Sequence, residues 1–218
     1  MPVFQLSDEI VFPDPHMADP DGLLAIGGDY SVDRMLLAYD HGIFPWFQHK
    51  GIIYWYATNP RMLIFPEKYR PNHGLRRFLK KNPYRITVNS AFKKVIDLCA
   101  KTRRKEKGTW INKKYRKAFL ELHERGYAIS VEAWLNDELV GGLYGIVAGS
   151  GFTGESMFTI KPNSSKVAFH YLMVLAKQMK WKFVDAQQDT PHIRTLGAEE
   201  VDFAAFYSLL TGANAVGE

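Results

Sequence analysis

Residues 127–158 read YAISVEAWLNDELVGGLYGIVAGSGFTGESMF, and this stretch decides the fold. Tyr127–Leu135, Leu139–Ala148 and Phe152–Phe158 are runs rich in β-branched and aromatic residues. Asn136-Asp137 between the first two tolerates the backbone of a tight turn, so the pattern predicts a β-meander. Downstream, Ser165–Met179 has the spacing of an amphipathic helix with a serine near its N-cap. Lys182–Gln187 reads as a buried strand and Asp202–Leu210 as a closing helix. Strands, helix, strand, helix in that order predict an α+β domain.

Upstream of the meander the chain is helical and basic. Asn72–Lys81 predicts a short helix with Leu75, Phe78 and Leu79 on one side and Arg76, Arg77, Lys80 and Lys81 together on the other. Asn89–Lys101 predicts a second helix, with Asn89 as its cap and Phe92, Val95, Ile96 and Cys99 as its apolar stripe. Lys101-Thr-Arg-Arg-Lys-Glu-Lys107 leads into Gly108 and reads as a flexible basic loop. Asn112–Arg125 predicts a third helix, with Tyr115, Phe119 and Leu122 inward and a stop at Gly126. The window Lys68–Lys117 holds 18 Lys and Arg against Asp97 and Glu106, a net +16, while the other residues carry −11. A basic segment inside an acidic chain is the electrostatic footprint of a polyanion binder, here a nucleic acid, although a solvated lysine-rich face is the plainer alternative.

The first sixty residues differ. Pro13, Pro15 and Pro20 punctuate an extended opening, Gly27-Gly28-Asp29 makes a turn, Ser31–His41 is a short helix ended by Gly42, and Ile52–Ala57 is β-rich. This is read as a small N-terminal domain, residues 1–60, ahead of a larger domain at 61–218 with basic helices at 72–125.

Composition narrows the class. The chain has 218 residues, 46% apolar and 14% aromatic, enough for a packed core. Its single cysteine, Cys99, excludes a disulfide framework and a four-cysteine zinc site. With no bilayer-length apolar run and no signal-peptide pattern, the expectation is a soluble protein of a reducing compartment with no membrane contact.

Several motifs fail. Gly149-Ser-Gly-Phe-Thr-Gly154 spells a dinucleotide fingerprint but leads into a strand rather than a helix. Gly154-Glu-Ser156-Met-Phe158 resembles a nucleophile elbow with its closing glycine replaced by Phe158, and Ser156 has no evident triad partners. The seven histidines show no metal-ligand spacing, and there is no P-loop. What survives is a pair of carboxylates among apolar residues. Glu155 lies on the strand with Phe152, Met157 and Phe158. Asp185 lies in Phe183-Val-Asp-Ala-Gln187, where alternation places Phe183, Asp185 and Gln187 on one face. A carboxylate and an amide two residues apart can share a cleft; a structural salt bridge or a cap is the other reading. Trp46 and Trp110 read either as core or as stacking platforms, Trp110 standing at the end of the basic loop.

Taken together, ordered blocks from about Phe12 to Leu210 resemble the bacterial leucyl/phenylalanyl-tRNA–protein transferases. They are Asp21-Gly-Leu-Leu-Ala-Ile-Gly-Gly-Asp29, Gly42-Ile-Phe-Pro-Trp-Phe47, Gly108-Thr-Trp-Ile111, Glu138-Leu-Val-Gly-Gly-Leu-Tyr-Gly145, Gly154-Glu-Ser-Met-Phe158, Ser165-Lys166, Asp185-Ala-Gln187, and His192 through Thr195-Leu-Gly-Ala198. The resemblance implies an acetyltransferase-like (GNAT-like) C-terminal domain and a cytoplasmic enzyme. It implies transfer of Leu or Phe, and sometimes Met, from aminoacyl-tRNA to proteins or peptides with N-terminal Arg or Lys, which directs them to proteolysis. No cofactor, ATP or metal is implied, because the ester is already activated. The resemblance implies Asp185, Gln187 and Glu155 as catalytic residues, with Asp185 orienting Gln187 and polarising the amine. Glu155 and Asp185 are also the anions expected to attract the acceptor's cationic side chain. Trp46 and Trp110 are expected at the terminal adenosine. Leu143, Met157, Leu172, Ala176 and Val184 are expected at the aminoacyl side chain. Arg76, Arg77, Lys80, Lys81, Arg103 and Arg104 are expected on the tRNA phosphates. Leu172 and Ala176 stand where the family carries bulky aromatics, and Leu143 where Met is common, so the pocket is expected to be reshaped. A related acyltransferase with another amine acceptor, or a non-catalytic tRNA-binding module, are the alternatives. The module would have no need of Glu155, Asp185 and Gln187 together.

Overall fold

The structure, a computed structural model, describes residues 3–106 and 111–212, apart from the side chains of 103–106. Four strands form a first sheet: β1 (Phe4–Leu6), β2 (Leu23–Gly27), β3 (Phe44–His49) and β4 (Ile52–Tyr56), in the order β1-β2-β4-β3. β1 runs parallel to β2, and the other pairs are antiparallel. The β3–β4 hairpin turns through Lys50 and Gly51, both with positive φ. β3 carries Pro45 mid-strand. The ladder tolerates it because the register slips between Pro45 and Phe47, which spares the missing N–H a partner. Helix α1 (Val32–Asp40) connects β2 to β3.

Seven strands form the second sheet: β5 (Arg61–Ile64), β6 (Arg85–Val88), β7 (Ala128–Leu135), β8 (Glu138–Ala148), β9 (Gly151–Thr159), β10 (Val184–Gln187) and β11 (Glu199–Val201). Their order is β11-β5-β10-β9-β8-β7-β6. β7, β8 and β9 are the meander read from the sequence, and Asn136 and Asp137 both have positive φ in the β7–β8 turn. The helices are α2 (His73–Leu79), α3 (Phe92–Glu106), α4 (Lys113–Glu124), α5 (Ser164–Gln178), α6 (Pro191–Thr195) and α7 (Phe203–Thr211). Asn112 caps α4 through its Oδ1, which accepts from the N–H groups of Lys114 and Tyr115. The result is a mixed α+β protein with two sheets.

α5 covers one face of the large sheet, burying Val131, Leu143, Phe152, Leu172 and Val184 in one cluster. It lies close on β8 because Gly141 has no side chain: a Cβ there would sit 2.3 Å from Ser164 Oγ. The opposite face packs Phe92, Phe119, Tyr144 and Phe158 into a cluster that continues through Phe44 and Trp55 of the first sheet. The two sheets therefore share a core, and residues of both reach one cavity. Cys99 is fully buried in that core. No helix among the described residues is long and apolar enough to cross a membrane.

Two local expectations are corrected. Asn89 does not cap α3. It adopts a positive φ of 58°, and its Oδ1 accepts from Ser130 N–H instead. The start of α3 is satisfied by the buried carboxylate of Glu132, which accepts from the N–H groups of Ser90 and Ala91. The basic run after Ala100 is helical through Glu106 rather than a loop, consistent with the good helix propensity of Lys, Arg and Glu.

Candidate active site

β9 and β10 are parallel neighbours that pair only through Phe152–Val184 and Thr153–Asp185. Both strands are then deflected. On β9 the register with β8 slips between the Tyr144–Ser156 and Gly145–Gly154 pairs, leaving Glu155 as the extra residue of a bulge. On β10 the ladder is irregular between Asp185 and Gln187, and Gln187 has a φ of 65°. The strands part, and a cavity of about 660 Å³ opens between them. Leu143, Met157, Phe169, Leu172 and Val184 make one half apolar, on the side covered by α5. Glu155, Ser156 and Gln187 line the other half, with Phe44 and Trp46 of β3 and Thr102 of α3.

Asp185 is fully buried. Its carboxylate receives Arg61 Nε at 2.9 Å and Arg61 Nη2 at 2.7 Å, a bidentate pair. It also accepts from Thr153 Oγ1 at 3.2 Å and from the Gln187 N–H at 2.7 Å. Arg61 is itself enclosed. It donates to Gly42 O at 3.0 Å and lies over the rings of Phe44 and Phe206. Four donors leave this carboxylate no room for a substrate cation. Of the roles open to Asp185, this geometry favours the orienting of Gln187, whose backbone N–H it accepts from, over binding of the acceptor's side chain. Thr58 Oγ1 fixes the other backbone group by donating to Gln187 O at 2.8 Å.

Glu155 has no cationic partner among the described residues. Tyr39 OH donates to its Oε1 at 2.7 Å, Tyr115 OH to its Oε2 at 2.5 Å, and Gln187 Nε2 to its Oε1 at 2.9 Å. Burial pushes its pKa up to about 7, against the stabilisation that these donors give the anion. Burial, and then the neighbouring carboxylate, hold the Tyr39 and Tyr115 hydroxyls well above the usual tyrosine range. All three donors point at Glu155, so the site is an acceptor-centred cluster whose carboxyl holds its proton more tightly than a free glutamate. Gln187 does meet Glu155, but through the bulge and its left-handed backbone rather than through regular alternation.

The structure brings Leu143, Met157, Leu172 and Val184 together on the apolar half and Trp46 to the mouth, edge-on to Tyr56 at 4.6 Å. Ala176 is corrected. It does not line the cavity but is buried in the core one turn further along α5, where its carbonyl accepts from Trp181 N–H. Four residues of helix advance about 6 Å, enough to leave the opening between the strands. Phe169, three residues before Leu172, lines it instead. Arg76 and Arg77 are exposed on α2; Lys80 and Lys81, expected on the same helix, are exposed in the turn that follows its end at Leu79, and all four stand outside the cavity lining. Arg103 and Arg104 fall in α3, with side chains outside the described set, and Trp110 lies outside the described residues. Sequence reasoning missed Arg61, Tyr39 and Tyr115. Tyr39 and Tyr115 look like ordinary inward residues of amphipathic helices, and nothing near Arg61 marks it as buried. No group of three His, Cys, Asp or Glu among the described residues is placed to hold a metal ion.

Comparison with known proteins adds to this geometry. A family model described as leucyl/phenylalanyl-tRNA protein transferase matches residues 63–211, and one for the N-terminal domain of the same family matches residues 28–59. A leucyl/phenylalanyl-tRNA–protein transferase of Desulfatibacillum aliphaticivorans is 44% identical over 211 residues, 96% of this chain and 91% of that protein. One of Thermodesulfovibrio yellowstonii is 46% identical over 214 residues, 98% of this chain and 87% of that protein. Among solved structures, a conserved protein of unknown function from Bacteroides thetaiotaomicron superposes with a TM-score of 0.46 at 12% identity, over 62% of this chain and 53% of that one. The structure of L-PGS from Bacillus licheniformis gives 0.42 at 16% identity, over 74% of this chain and 51% of that one. The chain thus spans about half the length of these structures, and likenesses so loose carry no argument.

Proposed function

This chain belongs to the leucyl/phenylalanyl-tRNA–protein transferase family, and on that premise we propose that it moves Leu or Phe, and Met less often, from aminoacyl-tRNA to proteins beginning with Arg or Lys. It is an aminoacyl-tRNA–protein transferase, an enzyme of the acyltransferase class. The product then carries a destabilising N-terminus and is directed to proteolysis in the cytoplasm. The proposed layout is a small N-terminal domain, residues 1–60, before an acetyltransferase-like, GNAT-like domain at 61–218.

The reaction is an ester aminolysis. The acceptor's α-ammonium gives up a proton, its nitrogen attacks the ester carbonyl carbon and then loses a second proton, the bond from that carbon to the ribose oxygen breaks, and the ribose oxygen leaves with that second proton. The aminoacyl ester is already activated, so the step needs no ATP. One observation carries this reading. Gln187 and Glu155 are hydrogen-bonded to each other in the lining of a cavity of about 660 Å³ that also holds Leu143, Met157, Leu172 and Val184 and, from the first sheet, Trp46.

The residues then take roles. The acyl side chain lies against Leu143, Met157, Leu172 and Val184, with the carbonyl at Gln187. Gln187 donates to Glu155 through Nε2, which leaves its amide oxygen to accept from the incoming amine. Asp185, held by Arg61, keeps the Gln187 backbone in place and acts as a positioning residue. Glu155, with its proton affinity near neutrality, takes the ammonium's proton, a role of about 10²–10⁴-fold in rate. It is also the anion left to attract the acceptor's cation. The terminal adenosine stacks on Trp46 and Trp110 at ~1–3 kcal/mol per base. Arg76, Arg77, Lys80 and Lys81, with Arg103 and Arg104, hold the acceptor stem by its phosphates.

The test is incubation with labelled Leu-tRNA and an Arg-initiated peptide, without ATP. Labelled peptide is the expected result. Intact tRNA binding with no labelled peptide would leave a tRNA-binding module instead.

A further inference from the structure

The hairpin of β3 and β4 carries aromatic rings that its own packing leaves partly in solvent. Burial alternates along β4. Ile53 and Trp55 are sealed in the core, while Ile52, Tyr54 and Tyr56 keep exposed surface on the other face. Phe47 of β3, opposite Tyr54, is 36% exposed. The register slip between Pro45 and Phe47 lets Trp46 and Phe47 both reach Tyr56, with ring centroids 4.6 and 6.1 Å away. Phe47 then stacks on Tyr54 at 4.6 Å, the planes 17° apart. The rings form one strip. It starts at Trp46, in the cavity lining, and ends at Phe47 and Tyr54, outside it. Exposed apolar residues scattered singly mean little, but a contiguous row leading out of a cavity marks a contact surface.

The two sides of the strip differ in charge. On the β2 side, Leu23 pairs with Tyr56, and Asp19 Oδ1 accepts from Leu23 N–H at 2.9 Å. Burial, then the charges of Asp19 and Asp21, raise the Tyr56 phenol. On the β3 side the charge is positive. Thr102 of α3 lines the cavity with Trp46, and Lys101 beside it is exposed. Asn112 Nδ2 donates to Gln48 Oε1 of β3 at 2.8 Å, and Lys113 and Lys114, which follow Asn112, are exposed. An anionic strand leaving the cavity is turned away from β2 and drawn along β3, the strand that carries Phe47. The inference rests on the proposed substrate. A tRNA ends in an unpaired CCA, so an adenosine at Trp46 is joined to bases that are free to stack. Aromatic rings beside positive charge hold such a strand whatever its bases are.

We infer that Phe47, backed by Tyr54, is the stacking platform for the base next to the terminal adenosine, and that the single-stranded end leaves the cavity along β3.

The test uses Phe-charged tRNA, either intact or lacking only the base next to the terminal adenosine, its sugar and phosphates kept. Each is given to wild-type protein, Phe47→Leu and Phe47→Tyr. Removing the base should lower the wild-type kcat/KM about tenfold, the size of one stacked base. Phe47→Leu, which keeps an apolar contact with Tyr54, should lose about as much on intact tRNA and little more on the abasic one. Phe47→Tyr should match the wild type on both. The losses should be the same for an Arg-initiated dipeptide and a longer Arg-initiated peptide. Losses from base and ring that multiply to about a hundredfold would assign Phe47 to the packing of the hairpin and overturn the stack, as would equal wild-type rates on the two tRNAs. A Phe47→Leu loss confined to the longer peptide would give the strip to the acceptor protein and overturn it too. Failure of the wild-type protein to transfer Phe from intact tRNA would remove the proposed function first, before any variant is compared.

Discussion

Two carboxylates are sealed into the walls of one cavity on neighbouring strands, and they face opposite kinds of partner. Asp185 meets the guanidinium of Arg61, itself buried. Glu155 meets two phenols and an amide. Burial is nearly equal, at 0% and 8% exposed. What differs is charge compensation. A carboxylate matched by a buried cation is an architectural part, because neither charge can leave without stranding the other. A carboxylate held only by neutral donors has hydrogen bonds but no counter-charge, and burial raises it to about 7. One cavity thus contains a charge-compensated anchor and a carboxyl whose pKa burial has raised. The sequence pattern, two acids among apolar residues, looks the same for both.

The largest effect should come from breaking the anchor. Asp185→Asn leaves Arg61 charged, buried and unmatched, which should lower unfolding stability by ~3–5 kcal/mol in a urea titration. Turnover should fall with it, since one amide oxygen is left for the four donors that share the carboxylate, and the Gln187 N–H is one of them. Arg61→Met should do the same from the other side. Combining the two should destabilise less than the sum of the single changes, because the stranded charge is gone. Undiminished stability in Asp185→Asn would erase the distinction between the two acids.

Glu155→Gln should behave in the opposite way. A carboxyl pKa raised on folding means that the native state binds the proton more tightly than the unfolded chain. Glu155 therefore withdraws stability as pH rises from about 4.5 to about 7, and the loss is complete above that. At 1.36 kcal/mol per unit this amounts to about 3 kcal/mol before any relaxation. The glutamine variant should lose that pH dependence and be no less stable at pH 8 than the wild type. Its kcat should fall ~10²–10⁴-fold. Wild-type kcat should rise through pH 7 as Glu155 ionises, so activity and stability respond to pH with opposite signs. A thermal melt series and a pH–rate profile on the same samples check both.

The contrast also marks what could be read in advance. Locally encoded features were legible. The meander came from β-rich runs and the Asn136-Asp137 turn, and α4 from its inward Tyr115, Phe119 and Leu122 and its Gly126 stop. Glu155 and Gln187 were legible as residue types out of place on apolar strands. Their partners were not, since Arg61 is 124 residues from Asp185 and Tyr39 is 116 from Glu155. Asn89 had the right chemistry for a cap, but Glu132 reached the helix start from β7 and freed Asn89 for a different turn. Ala176 was misplaced by one helical turn, because periodicity says which face is buried but not where along the helix a cavity ends. Pro45 hid β3, because a proline reads against a strand until a bulge is known to receive it.

The apolar half offers a finer test. Leu172 is 1% exposed and lines the cavity. Leu172→Phe should reduce the space for a bulky acyl group and move the ratio of kcat/KM for Leu-tRNA over Phe-tRNA upward about tenfold, within the ~1–3 kcal/mol that such pockets discriminate. The pH–rate profile should not move if Glu155 takes its proton from the amine, which is the same for both substrates. A shifted profile would mean that the polar and apolar halves are coupled.

The smallest effect should come from charges that are not sealed at all. Lys80 and Lys81 are exposed, and neither has a partner among the described residues. Lys80→Ala with Lys81→Ala should leave the unfolding curve within about 0.5 kcal/mol, as expected for surface positions. If both lysines meet phosphates of a duplex acceptor stem, each contact removed should reduce the slope of log binding constant against log salt by about 0.9, or less if the stem is frayed. The loss should be similar for Leu-tRNA and Phe-tRNA, because phosphate contacts read no sequence. A salt slope that stays put while kcat changes would put these lysines in the chemistry. It would also undo the proposed division of labour, in which buried charge sets geometry and proton transfer and exposed charge holds the nucleic acid.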